Sequence, residues 1–129
     1  MATIGFIGLG NMGGPMAANL AKAGHAVQAF DLSKDALARA EAAGCKVAGS
    51  AAEAATGVDV VVTMLPAGAH VRRVDMGEDG VLSVANKGAL MIDCSTVDVD
   101  SARAVAKASE EAGMVMVDAP VSGGTAGAE

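Results

Sequence analysis

The sequence predicts an α/β fold: a Rossmann-type, doubly wound, mainly parallel sheet of about six strands in the order 3-2-1-4-5-6, with helices on both faces. Three observations predict it. Short apolar runs alternate with helical patterns along the whole chain, which implies parallel strands joined by right-handed crossovers. The first apolar run opens directly into Gly8-Leu9-Gly10-Asn11-Met12-Gly13 and then a helical pattern, the context in which G-x-G-x-x-G signals dinucleotide binding. The 129 residues are 52% hydrophobic but contain only two aromatic side chains, Phe6 and Phe30. Small apolar residues suit close packing of helices on a sheet.

Taken in order, Thr3 to Ile7 reads as the first strand, Pro15 to Ala23 as a helix stopped by Gly24, and Ala26 to Phe30 as the second strand, ending on Asp31. In the fingerprint Gly8 permits the tight turn, Gly10 lets a pyrophosphate approach the backbone, and Gly13 lets the helix pack on the strand. Free N–H groups of the first helical turn then face the phosphates. Asp31 follows Gly13 by 18 residues, near the spacing expected of the acid that accepts hydrogen bonds from the adenosine ribose. A 2′-phosphate beside that carboxylate meets repulsion on the order of 4 kcal/mol at an effective dielectric of 20. NAD is therefore favoured over NADP.

Ser33 caps a predicted helix from Lys34 to Ala43, stopped by Gly44, and Cys45 to Ala48 is a short third strand. Ser50 and Glu53 have the spacing of a capping box at the start of a brief helix through Ala55. Asp59 to Met64 is an unbroken apolar strand, as expected of one buried on both faces. Gly68 to Val74 reads as helix, Glu78-Asp79-Gly80 as a turn, and Val81 to Val84 as a short helix or irregular piece. Gly88 to Cys94 is the fifth strand. Asp98 to Ala112 is the longest helix, with Val99, Ala102, Val105 or Ala106, and Ala112 at helical spacing and Gly113 as its stop. Met114 to Asp118 is the last strand, and Ala119 to Glu129 reads as a loop rich in Gly, Ser and Thr.

Three further strand ends carry residues that can serve a ligand bound outside the carboxyl edge of the sheet. Met64-Leu65-Pro66 can cover a ribose or nicotinamide ring or simply end a strand. The hydroxyls of Ser95-Thr96 can serve a ligand or cap the next helix. The Ser122-Gly123-Gly124 turn can form a nest of backbone N–H groups for a carboxylate, or be a plain terminal turn.

The net charge of −6 and the lack of a basic stripe argue against nucleic acid. Arg72-Arg73 reads as a solvated helix face. His25 and His70 read as surface or loop residues, and Cys45 and Cys94 as reduced residues without metal-ligand spacing. No apolar run reaches membrane-spanning length. A strand starting near residue 3 leaves no room for a signal or transit peptide, so a cytoplasmic location is expected.

The segments Gly5 to Gly13, Met64 to Pro66, Asp93 to Thr96 and Asp118 to Ala128 together resemble the N-terminal half of the β-hydroxyacid dehydrogenase family. The resemblance implies a single NAD-binding domain over residues 1–129, truncated before an all-helical domain. It places the pyrophosphate on Gly8, Leu9, Gly10, Asn11, Met12 and Gly13, with backbone donors from Asn11 and Met12. The adenosine ribose falls to Asp31, the cofactor groove to Met64, Leu65 and Pro66, the nicotinamide ribose to Thr96, and the substrate carboxylate to Ser122, Gly123 and Gly124. The implied activity is oxidation of 3-hydroxyisobutyrate to methylmalonate semialdehyde in valine breakdown, with hydride passing to the nicotinamide and a proton to a lysine. Tartronate semialdehyde or a related short semialdehyde is the alternative substrate, and a dinucleotide-binding module without chemistry is the alternative class. The family's lysine lies beyond Glu129, so no catalytic residue is expected among Lys22, Lys34, Lys46, Lys87 and Lys107. The whole protein is expected to be a homo-oligomer, with an apolar edge exposed near residue 129 of this chain.

Overall fold

The computed structural model describes residues 1–129. Its strands are β1 (Thr3–Ile7), β2 (Ala26–Phe30), β3 (Lys46–Val47), β4 (Val60–Thr63), β5 (Leu90–Asp93) and β6 (Val115–Asp118). They form a single six-stranded sheet in the order β3-β2-β1-β4-β5-β6, and every neighbouring pair is parallel. The helices are α1 (Gly13–Lys22), α2 (Lys34–Ala42), α3 (Ala51–Ala54), α4 (Gly68–Met76), α5 (Val81–Val84), α6 (Val99–Glu111) and α7 (Gly124–Ala128).

Two apolar layers follow from the alternation of side chains along each strand. Ile4 and Phe6 of β1 pack with Val27, Ala29 and Val62 beneath Ala17 of α1 and Ala36 and Ala40 of α2. On the other face Ile7, Val61 and Met91 pack with Ala54 of α3 and Val81 of α5. Gly5 lies where α3 crosses β1: a Cβ there would collide with the Ala54 carbonyl oxygen. That close approach brings the sheet and its helices near enough for alanine to fill the gap.

Local chemistry sets the helix starts. Ser33 Oγ accepts from the Ala36 N–H, and Ser50 Oγ from the Glu53 N–H, each cap contributing about 1 kcal/mol. The capping box is displaced by one residue, since Glu53 Oε2 accepts from the Gly49 N–H rather than from Ser50. At α6 the cap is Asp98, whose carboxylate accepts from the Ser101 N–H. The bonds to Ser101 hold that carboxyl below its ordinary range.

Two expectations about the second half need correction. Residues 124–128 are the helix α7 rather than loop, tied to α1 by the Asn19 side-chain amide donating to the Ala128 carbonyl. The buried stripe of α6 is Ser101, Val105 and Ser109, while Val99 is 63% exposed and Ala106 is also exposed. Serine can occupy that stripe because Ser109 Oγ donates to the Val105 carbonyl, and Ser101 Oγ accepts from Arg72 Nε. The expected apolar edge is present: β6 is an outer strand on which Val115 and Val117 are 62% and 44% exposed. No helix is long and apolar enough to cross a membrane.

Candidate functional site

The carboxyl ends of β1, β2, β4 and β5 are bonded to one another in steps. The Gly8 N–H donates to the Phe30 carbonyl, Met64 N–H to Ile7, and Cys94 N–H to Thr63. This staircase positions the loops that follow the strands. Gly8 turns the chain at φ +92°, and a Cβ on it would strike the Met64 carbonyl. A Cβ on Gly13 would strike the Gly8 carbonyl, so the first turn of α1 sits directly on the strand end. Around Gly10, by contrast, the position a Cβ would take is open, leaving the backbone approachable.

Met12 caps α1 without a side-chain hydrogen bond, and no acidic residue lies in the first turn. The N–H groups of Asn11, Met12 and Gly13 donate to no protein acceptor. Unpaired amides at the positive end of a ten-residue helix form an anion site. They open into a groove of about 510 Å³ lined also by Gly8, Gly10 and Asp31 and, across it, by Met64, Leu65 and Pro66.

Asp31 does more than the sequence reading assigned to it. Its Oδ2 accepts from the Leu9 N–H at 2.6 Å and its Oδ1 from the Ser33 N–H at 2.8 Å. The acid thereby pins the glycine loop to the end of β2, and each oxygen keeps a lone pair for a ribose hydroxyl. Leu9 differs from its expected role: its amide is taken by Asp31 and its side chain is buried in the core, so it holds the loop in place and does not line the groove.

The groove also contains Leu32, His70, Arg73 and Val74, none of which sequence reasoning placed at the site; it read His70 as a surface or loop residue and Arg73 as part of a solvated helix face. His70, Arg73 and Val74 stand at i, i+3 and i+4 on α4, one helical face. That spacing just after Pro66 was the available signal. Arg73 is thus part of the groove wall, while its neighbour Arg72 bonds to Ser101. His25 is a structural residue, its Nδ1 accepting from the Ala2 N–H. Cys45 and Cys94 are buried free thiols, both pushed up by burial, Cys94 further by the charge of Asp93.

The Ser95 hydroxyl neither caps α6 nor faces solvent. It is fully buried and accepts from the Leu65 N–H at 2.7 Å. Its own N–H donates to Asp93 Oδ1 at 3.0 Å, and Thr63 Oγ1 donates to the same oxygen at 2.9 Å. Asp93 therefore organises the ends of β4 and β5 under Leu65. Thr96, one residue on, is exposed and does not line the groove.

A second hollow, of about 490 Å³, lies between α1 and α7, and Ser122 and Gly124 line it. Gly123, at φ +106°, is the turn residue between them. Met12 borders both hollows. The ionisable side chains that line the two are Asp31, His70, Arg73 and Cys94, and no group of three metal-ligating side chains occurs.

Residues 3–129 match the family model described as the NAD binding domain of 6-phosphogluconate dehydrogenase. The chain belongs to this family. It is 52% identical over 127 residues to a probable mitochondrial 3-hydroxyisobutyrate dehydrogenase of Dictyostelium discoideum, covering 98% of this chain and 40% of that protein. It is 50% identical to an NAD-dependent L-serine dehydrogenase of Pseudomonas aeruginosa, covering 99% of this chain and 43% of that one. Among solved structures, a Mycobacterium tuberculosis 3-hydroxyisobutyrate dehydrogenase with L-serine superposes with a TM-score of 0.93 at 50% identity, over 98% of this chain and 43% of that one. The NAD-binding chain thus spans about two-fifths of the length of these relatives. The unpaired amides of Asn11, Met12 and Gly13, the open approach at Gly10 and the acid at Asp31 fit a dinucleotide.

Proposed function

We propose that residues 1–129 are the cofactor-binding domain of an NAD-dependent 3-hydroxyisobutyrate dehydrogenase, a homo-oligomer as a whole protein, in which a second, all-helical domain supplies the base. The observation that carries the reading is the set of three unpaired amides at the start of α1, in a groove flanked by Asp31. Asn11, Met12 and Gly13 would donate to the pyrophosphate. Asp31 would accept from the adenosine ribose, and its charge would disfavour a 2′-phosphate. Met64, Leu65 and Pro66 would form the apolar wall of the groove. Thr96 is assigned to the nicotinamide ribose on resemblance alone.

The backbone around Ser122, Gly123 and Gly124 would hold the substrate carboxylate. Because Met12 borders both hollows, the two ligands would meet there. Bound nicotinamide supplies the hydride acceptor. The alcohol proton needs a base within hydrogen-bonding reach, and the side chains of the two hollows include no lysine.

A second substrate, L-serine, is favoured by one observation: a relative of equal identity is named for it. Both compounds are 3-hydroxy acids, and the carboxylate loop would grip what they share. The test is to extend the chain with the remaining part of the M. tuberculosis relative and follow NAD reduction with each acid. Turnover by the extended chain and none by the 129 residues alone supports the proposal. Turnover by the 129 residues, or an extended chain inert towards both acids, contradicts it.

A further inference from the structure

Helix α4 walls the cofactor groove with one face and leans on α6 with another. His70, Arg73 and Val74 line the groove. Gly68 and Arg72, at i and i+4, form a second row along the helix, and that row meets the first turn of α6. Arg72 Nε donates to Ser101 Oγ at 2.9 Å, and the Ser101 N–H donates to Asp98 Oδ2 at 2.9 Å. A Cβ on Gly68 would collide with Asp98 Oδ1 and with the Ser101 side chain. Glycine there lets the two helix starts close on each other. The Arg72 guanidinium then fastens the contact onto a buried hydroxyl.

Little else polar holds α4 in place. Ala67 gives its start no side-chain cap, and the bond from Arg72 to Ser101 is the one side-chain hydrogen bond its residues make. Asp75, on the buried face of the helix, is 1% exposed with neither carboxyl oxygen bonded. Burial, and then the charge of Asp93, push that carboxyl up from 3.8 to about 7. Burying an unbonded acid opposes the seating of α4, and the clasp at Arg72 works against it.

We propose that Arg72 is a positioning residue for the cofactor: acting through Ser101, it holds α4, and with it His70, Arg73 and Val74, at a fixed distance from the glycine loop. The clasp also joins two strand-end loops. Gly68 follows Pro66 of the groove wall by two residues, and Asp98 follows Thr96 by two. Opening the clasp slackens both loops and lets α4 move away from the groove. A bond that only stabilised the fold would leave NADH affinity alone once the chain is folded, whereas this one sets the shape of the binding surface. Its role in cofactor binding rests on the groove being the NAD site.

The test has two arms. Amide hydrogen exchange of the unliganded chain follows α4 without any cofactor. In Arg72→Ala the α4 amides should exchange several-fold faster than in the parent, with those of α1 unchanged; unchanged exchange in α4 overturns the clasp. In the second arm, NADH affinity is measured by calorimetry. Arg72→Ala and Ser101→Ala should each bind roughly three- to tenfold more weakly, for loss of one hydrogen bond. Ser101→Ala leaves the charge of Arg72 in place, so its loss reports the bond and not the charge. The double variant should bind no more weakly than Arg72→Ala, because both changes break one interaction. Arg72→Lys, which keeps a donor, should recover part of the affinity. Gly68→Ala should also weaken binding, although alanine favours helix more than glycine does. Parent-like affinity in Ser101→Ala or Gly68→Ala, or losses that add in the double variant, overturn the positioning role. If α4 exchange responds but the parent binds no NADH, the clasp stands and the reading of the groove as an NAD site fails.

Discussion

Replacing Asp75 by Asn should stabilise the folded chain at neutral pH and change little near pH 4. In the folded protein the carboxyl is raised to about 7 from 3.8, so the folded state holds its proton more tightly than the unfolded state does. Below the lower value both states are protonated, and the contribution of the group to stability is fully present. It is lost as pH rises through the interval up to about 7, and is constant above that. A gap of about three units at roughly 1.4 kcal/mol per unit gives about 4 kcal/mol across this window. The Asn variant is nearly isosteric with the neutral acid and does not titrate. Its advantage over the parent should therefore grow from near zero at about pH 4 to roughly 4 kcal/mol above pH 7. With neither Trp nor Tyr in the chain, urea unfolding is best followed by far-UV circular dichroism at several pH values. Parallel curves for the two proteins across the window would refute the reasoning, because the buried acid would then not differ from an exposed one.

Further predictions concern the groove and the frame around it. Asp31→Asn should weaken the charge-assisted bond to Leu9, costing about 1 kcal/mol in stability, and should erase most of the preference for NADH over NADPH in calorimetric titrations. Gly13→Ala should lower NADH affinity at least about tenfold and stability by about 1–3 kcal/mol, since its Cβ meets the Gly8 carbonyl and the Phe6 ring; denaturant melts and calorimetry check both. Ser50→Ala should cost about 1 kcal/mol in the same melts through loss of the α3 cap and leave NADH affinity unchanged.

The sheet order was legible because the alternation of apolar runs with capped helices admits few topologies, and β1 and β2 match their predicted spans residue for residue. Helix α7 was not. Gly124 to Ala128 has only one hydroxyl and no large side chain, and its helical state depends on contact with α1, which local sequence does not carry. The stripe of α6 was misread for a related reason: Ser101 and Ser109 look polar in sequence, yet their hydroxyls are satisfied inside the protein. At the site, the glycine loop and Asp31 were visible as a motif. The second task of Asp31, on the Leu9 amide, was not, because it depends on two loops meeting in space. Asp75 was invisible for the strongest reason: the predicted helix stopped at Val74, and only the extent and packing of α4 show the acid to be helical and buried.

The most direct test of the cofactor reading is calorimetric titration of the 129-residue chain with NADH and, separately, NADPH. Saturable binding of NADH, at least about tenfold tighter than NADPH for a net repulsion of about 1.4 kcal/mol or more at Asp31, is the predicted result. Equal affinities would contradict the role given to Asp31, and no binding of either would contradict the assignment of the groove itself.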